Sequence, residues 1–491
     1  MNDTTSKLTP ATFAGPFLPA GFWIRRSMAP VVLVGLTVLC VLTADIAVGA
    51  ILPPPTIFPS PASRVASAPS TSGGVDQRAS TSNPSVAQAG EWPRWRGADG
   101  TGVSKETGWT TSWPKEGPTQ LWKASVGIGF SSFAVAQGRA YTLGNAASND
   151  TVFCFDAVTG KELWKHSYPA QLDPNYYEGG PSATPTVDGQ RVFTVGKHGN
   201  LFCFEASSGK VIWQKDLVQE IGATKPDWGF ASSPVVEGNL LLLNAGGAGT
   251  ALSKTDGSVV WSSGTNVAGY ATPVPFGSGA DRGVAIFSGN ALLGVRVADG
   301  RELWRHPWVE EFNLNAADPI YTTPNSVFIS SYTRGSALLR LGEAGVSEVW
   351  TNKNMAVGFN SCVLLNGHLY GVHGTADGPE KEVRCVDAAT GALKWRQEKF
   401  GLGSVTAADG KLILLSERGE LFVAEASPVA FKPLARAQVL GGKCWTTPVL
   451  ANGRIYCRNA KGNVVCLDVR GSESDPSALR VLAREPKNNA E

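Results

Sequence analysis

Short apolar runs alternate with tight turns through most of this chain, and they recur in a fixed order. The last copy is the clearest. Thr446-Thr-Pro-Val-Leu450 is an apolar run and Ala451-Asn-Gly453 a hairpin turn. Arg454-Ile-Tyr-Cys457 is a second strand, Asn459-Ala-Lys-Gly462 a looser loop and Asn463-Val-Val-Cys-Leu467 a third strand. Asn-Gly or Asp-Gly between β-branched runs is the strongest short-range hairpin signal. It occurs at Asp188-Gly189, Asn366-Gly367, Asp409-Gly410 and Asn452-Gly453. Related openings stand at Ser182-Ala-Thr-Pro185, Ser232-Ser-Pro234, Ala271-Thr-Pro273 and Thr322-Thr-Pro324.

A tryptophan closes most units. Trp122, Trp164, Trp213, Trp261, Trp304, Trp350 and Trp395 are separated by 42, 49, 48, 43, 46 and 45 residues. Most end the same phrase: Asp156-Ala-Val-Thr-Gly160-Lys-Glu-Leu-Trp164, Glu205-Ala-Ser-Ser-Gly209-Lys-Val-Ile-Trp213, Arg296-Val-Ala-Asp-Gly300-Arg-Glu-Leu-Trp304 and Asp387-Ala-Ala-Thr-Gly391-Ala-Leu-Lys-Trp395. Thr255-Asp-Gly257-Ser-Val-Val-Trp261 is a further copy. The Asp or Thr side chain is suited to cap the turn, and the Gly to take φ > 0. The indole is expected to pack between neighbouring units, with its N–H on a carbonyl.

A strand-rich repeat in the forties predicts an all-β chain, an eight-bladed β-propeller over 119–470. Units end at 164, 213, 261, 304, 350 and 395. A degenerate unit, Leu421-Phe-Val-Ala-Glu425 to Val439, lacks the Gly and Trp. The eighth unit runs out after its third strand, and Thr119-Gln-Leu-Trp122-Lys is expected to supply the missing fourth. That closure removes the open sheet edge. Seven blades is the alternative, if the weak unit near 405–440 is absorbed elsewhere.

The N-terminus reads differently. Residues 1–28 end in the basic pair Arg25-Arg26, ahead of an apolar stretch over 29–52 interrupted by Asp45. Through Asp45 it is long enough for a transmembrane anchor; its uninterrupted core has signal-peptide length, with Val48-Gly-Ala50 as a cleavage site. Either way the propeller is placed outside the cytoplasm, periplasmic or extracellular, and is secreted if the segment is cleaved. Residues 53–91 are rich in Pro, Ser and Thr and read as a disordered linker. Trp92-Pro-Arg-Trp95-Arg-Gly97 opens a segment, 92–118, expected to pin against the propeller, with ligand stacking as its other role. Residues 471–491 form a polar tail.

Charge narrows the partners. With 43 basic and 41 acidic residues the net charge is +2. The propeller has no basic run, so nucleic acid is not an expected partner. Cys154, Cys203, Cys385 and Cys466 share one third-strand position and read as small buried hydrophobes. Cys444 and Cys457 leave a disulfide in the last blade open.

Propeller topology puts the tight first-to-second and third-to-fourth strand turns on one face. The richer second-to-third and inter-blade loops lie on the other, whose channel mouth is the default site. The candidates there are Tyr177, Glu178, Asp227, Trp228, Tyr270, His373, Lys443 and Trp445. For Trp228, Tyr270 and Trp445 two roles are open, lining a site or plugging the channel. Asp227, Asn313, Asn315 and Asp318 are oxygen ligands for a hard cation only if they converge. The five histidines have no metal-ligand spacing, no Walker, G-x-S-x-G or H-E-x-x-H motif occurs, and neither catalytic residue nor metal site is assigned.

The phrase Asp-Ala-x-Thr-Gly-Lys-x-x-Trp resembles the tryptophan-docking motif of pyrroloquinoline-quinone (PQQ) repeat propellers. The opening 92–97 and Trp228-Gly-Phe-Ala-Ser-Ser-Pro234 resemble PQQ-binding-like propellers of bacterial envelopes. Two functions share that repeat. Quinoprotein dehydrogenases hold PQQ and Ca²⁺ at the mouth, whereas BamB-type lipoproteins are non-enzymatic assembly scaffolds. This chain has no vicinal Cys-Cys, no C-x-x-C-H and a poor lipobox at Cys40. The resemblance therefore implies a membrane-tethered envelope scaffold with protein partners, more a binding protein than an enzyme, and no assigned cofactor. A PQQ- and Ca-dependent oxidoreductase acting on alcohols or sugars is the alternative.

Overall fold

The computed structural model describes residues 90–471. The anchor or signal segment at 29–52, the linker up to residue 89 and the tail from 472 lie outside the described residues. Among the described residues no helix is long and apolar enough to cross a membrane.

Eight antiparallel sheets form the ring. Blades 1 to 8 span 134–169, 186–216, 235–262, 274–307, 320–352, 363–397, 404–438 and 449–468. The weak unit near 405–440 is a complete four-stranded blade, Ser404–Ala408 through Pro433–Gln438, so the seven-blade alternative fails. Blade 8 takes its outer strand from Gln120–Ser125, which pairs antiparallel with Asn463–Asp468 and sets Trp122 opposite Cys466. The expected closure is present, and the first strand of the ring seals the last blade.

The tryptophans build the seams. Trp122, Trp164, Trp213, Trp261, Trp350 and Trp395 each donate an indole N–H to a turn carbonyl of the next blade: Ala157, Ala206, Lys254, Val297, Ala388 and Ser427. The turn glycine explains the fixed phrase. Gly160 has φ +71°, and a Cβ there would lie 2.5 Å from the Trp122 ring. The preceding aspartate holds the turn, since Asp156 Oδ1 accepts from Val158 N, Thr159 N and Thr159 Oγ1. Cys154, Cys203 and Cys385 stand across from Trp164, Trp213 and Trp395, buried as small hydrophobes. Cys444 and Cys457 share one buried cluster as free thiols.

Two places depart from the regular seam. Blade 5 has no Asp-x-x-Gly turn, and the Trp304 ring lies instead over Gly294 of its own blade, where a Cβ would come within 2.2 Å. The opening Thr322-Thr-Pro324 is not the equivalent of the other Thr-Pro pairs. The innermost strand of blade 5 is Ile320–Thr323, preceded by Asp318-Pro319, and Pro324 falls in the hairpin turn.

Candidate functional site

The channel has two unlike ends. Its base carries the tight hairpin turns, and residues 90–106 run around it as a strap. Asn452 N donates to the Gly90 carbonyl at blade 8. Trp92 pairs with Val135 of blade 1, and Val187 N of blade 2 donates to the Pro93 carbonyl. Arg96 donates to the Cys362 carbonyl of blade 6 at 2.8 Å. Val103–Ser104 then pairs in parallel with Ala407 and Ala408 of blade 7. Glu106 returns to blade 8, where its carboxylate accepts from Asn452 N and Gly453 N. The strap thus visits inner strands around the ring and closes this end.

A belt of side-chain oxygens lies within the channel. Ser132 N donates to Thr184 Oγ1, Thr184 N to Ser233 Oγ, Ser233 N to Thr272 Oγ1, Thr272 N to Asp318 Oδ1 and Asp318 N to Ser361 Oγ. The backbone N–H of each blade is therefore satisfied by the next blade's side chain at one repeated position, as buried backbone groups require. Blade 5 alone in this run places a carboxylate there. Asp318 Oδ2 also accepts Trp95 Nε1 at 2.6 Å and stands 3.6 Å from Arg96 Nε. Both charges are buried. Burial pushes the Asp318 carboxyl up and the Arg96 guanidinium down, each opposed by the charge of the other. The belt's exceptional residue is thus the strap's anchor.

Above the belt the channel opens into a cavity of about 980 Å³. Trp95 forms part of its floor, and Phe130, Tyr177, Trp228, Tyr270, Phe359 and Trp445 stand in its wall. Tyr176 (96% exposed) and Phe312 (58%) stand at its rim. The rings brace one another: Phe130 lies 5.4 Å from Tyr177 and 5.9 Å from Trp445, and Phe359 4.9 Å from Trp445. Burial pushes the Tyr270 hydroxyl up to about 12, so it stays protonated at neutral pH.

Of the eight candidates, Tyr177, Asp227, Trp228, Tyr270 and Trp445 line this cavity. They leave it open; the strap closes the channel at the other end. Glu178 and Lys443 pair with each other at 3.0 Å, behind Trp445, whose ring Lys443 covers at 4.2 Å. His373 is not brought to the mouth. It is buried in blade 6, where Nδ1 accepts Ala356 N and Nε2 lies 3.3 Å from Glu380. Burial, with Arg384 nearby, lowers it to about 4. Of the four oxygen donors considered for a cation, Asn315 is turned inward, its amide donating to the Ser288, Gly289 and Trp308 carbonyls. No group of three His, Cys, Asp or Glu suited to a metal occurs among the described residues.

Phe130, Phe312, Tyr332 and Phe359 were not among the candidates, yet line the cavity. A signal for two of them was available. Phe130, Ser182, Ala231, Tyr270, Ala316 and Phe359 each precede a belt residue by two positions, and all of them line the mouth. An aromatic at that repeat position marks the wall.

The family model described as outer membrane protein assembly factor BamB matches residues 148–378 and 379–475, about two thirds of the chain. The chain belongs to this family of PQQ-like β-propellers. No curated protein matches it in sequence. Among solved structures it is similar to BamB from Moraxella catarrhalis, at 15% identity and a TM-score of 0.54, covering 72% of this chain and 99% of that one. It is also similar to quinohemoprotein alcohol dehydrogenase from Comamonas testosteroni, at 13% identity, a TM-score of 0.59 and 82% coverage of each chain. A europium-containing methanol dehydrogenase is similar at 11% identity with a TM-score of 0.58, covering 75% of this chain and 89% of that one. At these identities the similarity is one of fold. This PQQ-like propeller carries the strap, the Asp318 anchor and the aromatic mouth on that fold.

Proposed function

We propose that this PQQ-like propeller is a non-catalytic binding scaffold of the bacterial cell envelope, and that its partner enters the aromatic mouth. The observation that carries this reading is the open cavity of about 980 Å³ at one end of a ring strapped shut at the other. Exposed aromatics at the edge of a concave, largely apolar site are the usual mark of recognition. Gly90 and Gly471 both lie at the base, beside Asn452 and Gly108. The family match to a BamB model favours an assembly role with protein partners.

The quinoprotein alternative asks more of the mouth than its residues supply. A calcium ion needs several converging oxygens, and an anionic quinone needs cations. Asp318 is spent on Thr272, Trp95 and Arg96, and among the described residues no Lys or Arg lines the cavity. Calorimetric titration of the full chain with PQQ and Ca²⁺ tests this. The scaffold reading predicts no binding at millimolar calcium, and saturable, calcium-dependent micromolar binding would overturn it.

A further inference from the structure

Most hydrogen-bond donors at the mouth are used up inside the protein; the exposed Tyr176 and the Tyr270 hydroxyl, which accepts from Trp228 N, are exceptions. Trp95 Nε1 donates to Asp318, Trp228 Nε1 to the Asn175 carbonyl and Trp445 Nε1 to Glu417. The Tyr177 hydroxyl donates to the Trp228 carbonyl and the Tyr332 hydroxyl to Asp377. The Asn360 amide donates to the Gly403 and Trp445 carbonyls. What is left for a ligand is mainly ring faces and carboxylate oxygens. A ring face carries the negative part of the aromatic quadrupole, so both kinds of group favour a cation.

The charges agree. Asp227 and Asp377 are exposed lining residues. Among the described residues the Asp227 carboxylate has no hydrogen-bond or ion-pair partner; its main-chain carbonyl alone accepts, from Asn175. Lys225 pairs with Asp173 and Lys443 with Glu178, while Lys381, beside Asp377, donates to the Ala376 carbonyl and bears on the Asp377 charge. Asp227 sits on the connection from blade 2 to blade 3, and Asp377 on the second-to-third loop of blade 6. In an eight-membered ring these are nearly opposite sides. A single ammonium answers one of them; an extended body with several positive charges answers both. The cavity also far exceeds one lysine side chain.

Resting on the reading that the mouth is the binding end, we infer that its occupant is polycationic: an extended lysine- or arginine-rich segment of a partner protein, lying across the mouth between Asp227 and Asp377. Such a segment places its charges on the two carboxylates and its methylene stems on the rings.

The test is calorimetric titration of the full chain with capped hexalysine, with capped hexaglutamate and maltohexaose as the anionic and neutral probes. Two variants accompany it, Trp228→Ala and the double substitution Asp227→Asn with Asp377→Asn; circular dichroism checks that each folds. Hexalysine is expected to bind and hexaglutamate not to. The double variant is expected to weaken hexalysine at least about tenfold, the scale of two carboxylates facing a partly desolvated cation. Hexalysine binding unchanged in the double variant would overturn the inference. Binding of maltohexaose alone, abolished by Trp228→Ala, would also overturn it while leaving the mouth as the binding end. No binding of any probe would overturn it too, and PQQ binding in the separate titration would remove the scaffold reading itself.

Discussion

The base and the mouth of this channel are built from the same repeat and come out opposite in character. At the base the hairpin turns, docked tryptophans and strap bond to one another, and two buried charges meet as Arg96 and Asp318. At the mouth the same blades leave rings and carboxylates turned outward. The difference teaches where each end's information lies. Closing a ring demands that neighbouring blades agree, so the base is written in the repeat. Binding demands that blades differ, so the mouth is written in what each repeat inserts between its strands.

The sharpest way to break the comparison is at Asp318, which joins the strap to the belt beneath the mouth. Asp318→Ala leaves Arg96 as a buried, uncompensated charge and strips acceptors from Thr272 N and Trp95 Nε1. Urea unfolding should show a loss of about 3–5 kcal/mol, along with early proteolysis in 90–106 as the strap comes free. Gly160→Ala attacks the base through its seam, forcing a Cβ against the Trp122 ring at a positive φ. The expected loss is about 1–3 kcal/mol by the same measurement.

Acid should loosen the mouth's surroundings through His373. Its folded value of about 4 lies below the ordinary 6.5, so the unfolded chain binds the proton more readily. Its contribution is fully present above about pH 6.5 and is lost as pH falls toward 4. Replacing His373 with Gln should flatten the slope of the urea midpoint across that window; an unchanged slope would deny the buried neutral imidazole. The smallest effect on stability should come from the rim. Tyr176→Ala and Phe312→Ala remove exposed rings and should change unfolding by less than about 0.5 kcal/mol, while lowering affinity for any ligand of the mouth.

How much of this was readable beforehand follows the same division. The Asp-x-x-Thr-Gly…Trp phrase revealed the blades because one turn geometry, one glycine contact and one indole hydrogen bond are reused in nearly every seam. The missing eighth outer strand was legible because an open edge would be left without Gln120–Ser125. Thr322-Thr-Pro324 misled because it copies the text of the belt without its position, while the true member, Asp318-Pro319, carries a carboxylate in place of a hydroxyl. The path of the strap was not legible. Trp95 and Asp318 are 223 residues apart and meet only once the ring has closed. His373 read as a mouth residue because its loop is polar, yet strand pairing with Glu382 draws its side chain into the blade. The wall aromatics Phe130 and Phe359 became recognisable only after the belt had fixed the register two positions ahead of them.

The central claim is that this ring works from its mouth and is structural at its base. Paired photo-crosslinking in the cells that make the protein tests it most directly, with a benzophenone side chain in place of Tyr176 at the mouth or of Asp99 on the strap. The account predicts a discrete adduct from position 176 that is lost when Asp227 and Asp377 are changed to Asn, and none from position 99. An adduct from position 99 with none from 176 would contradict it.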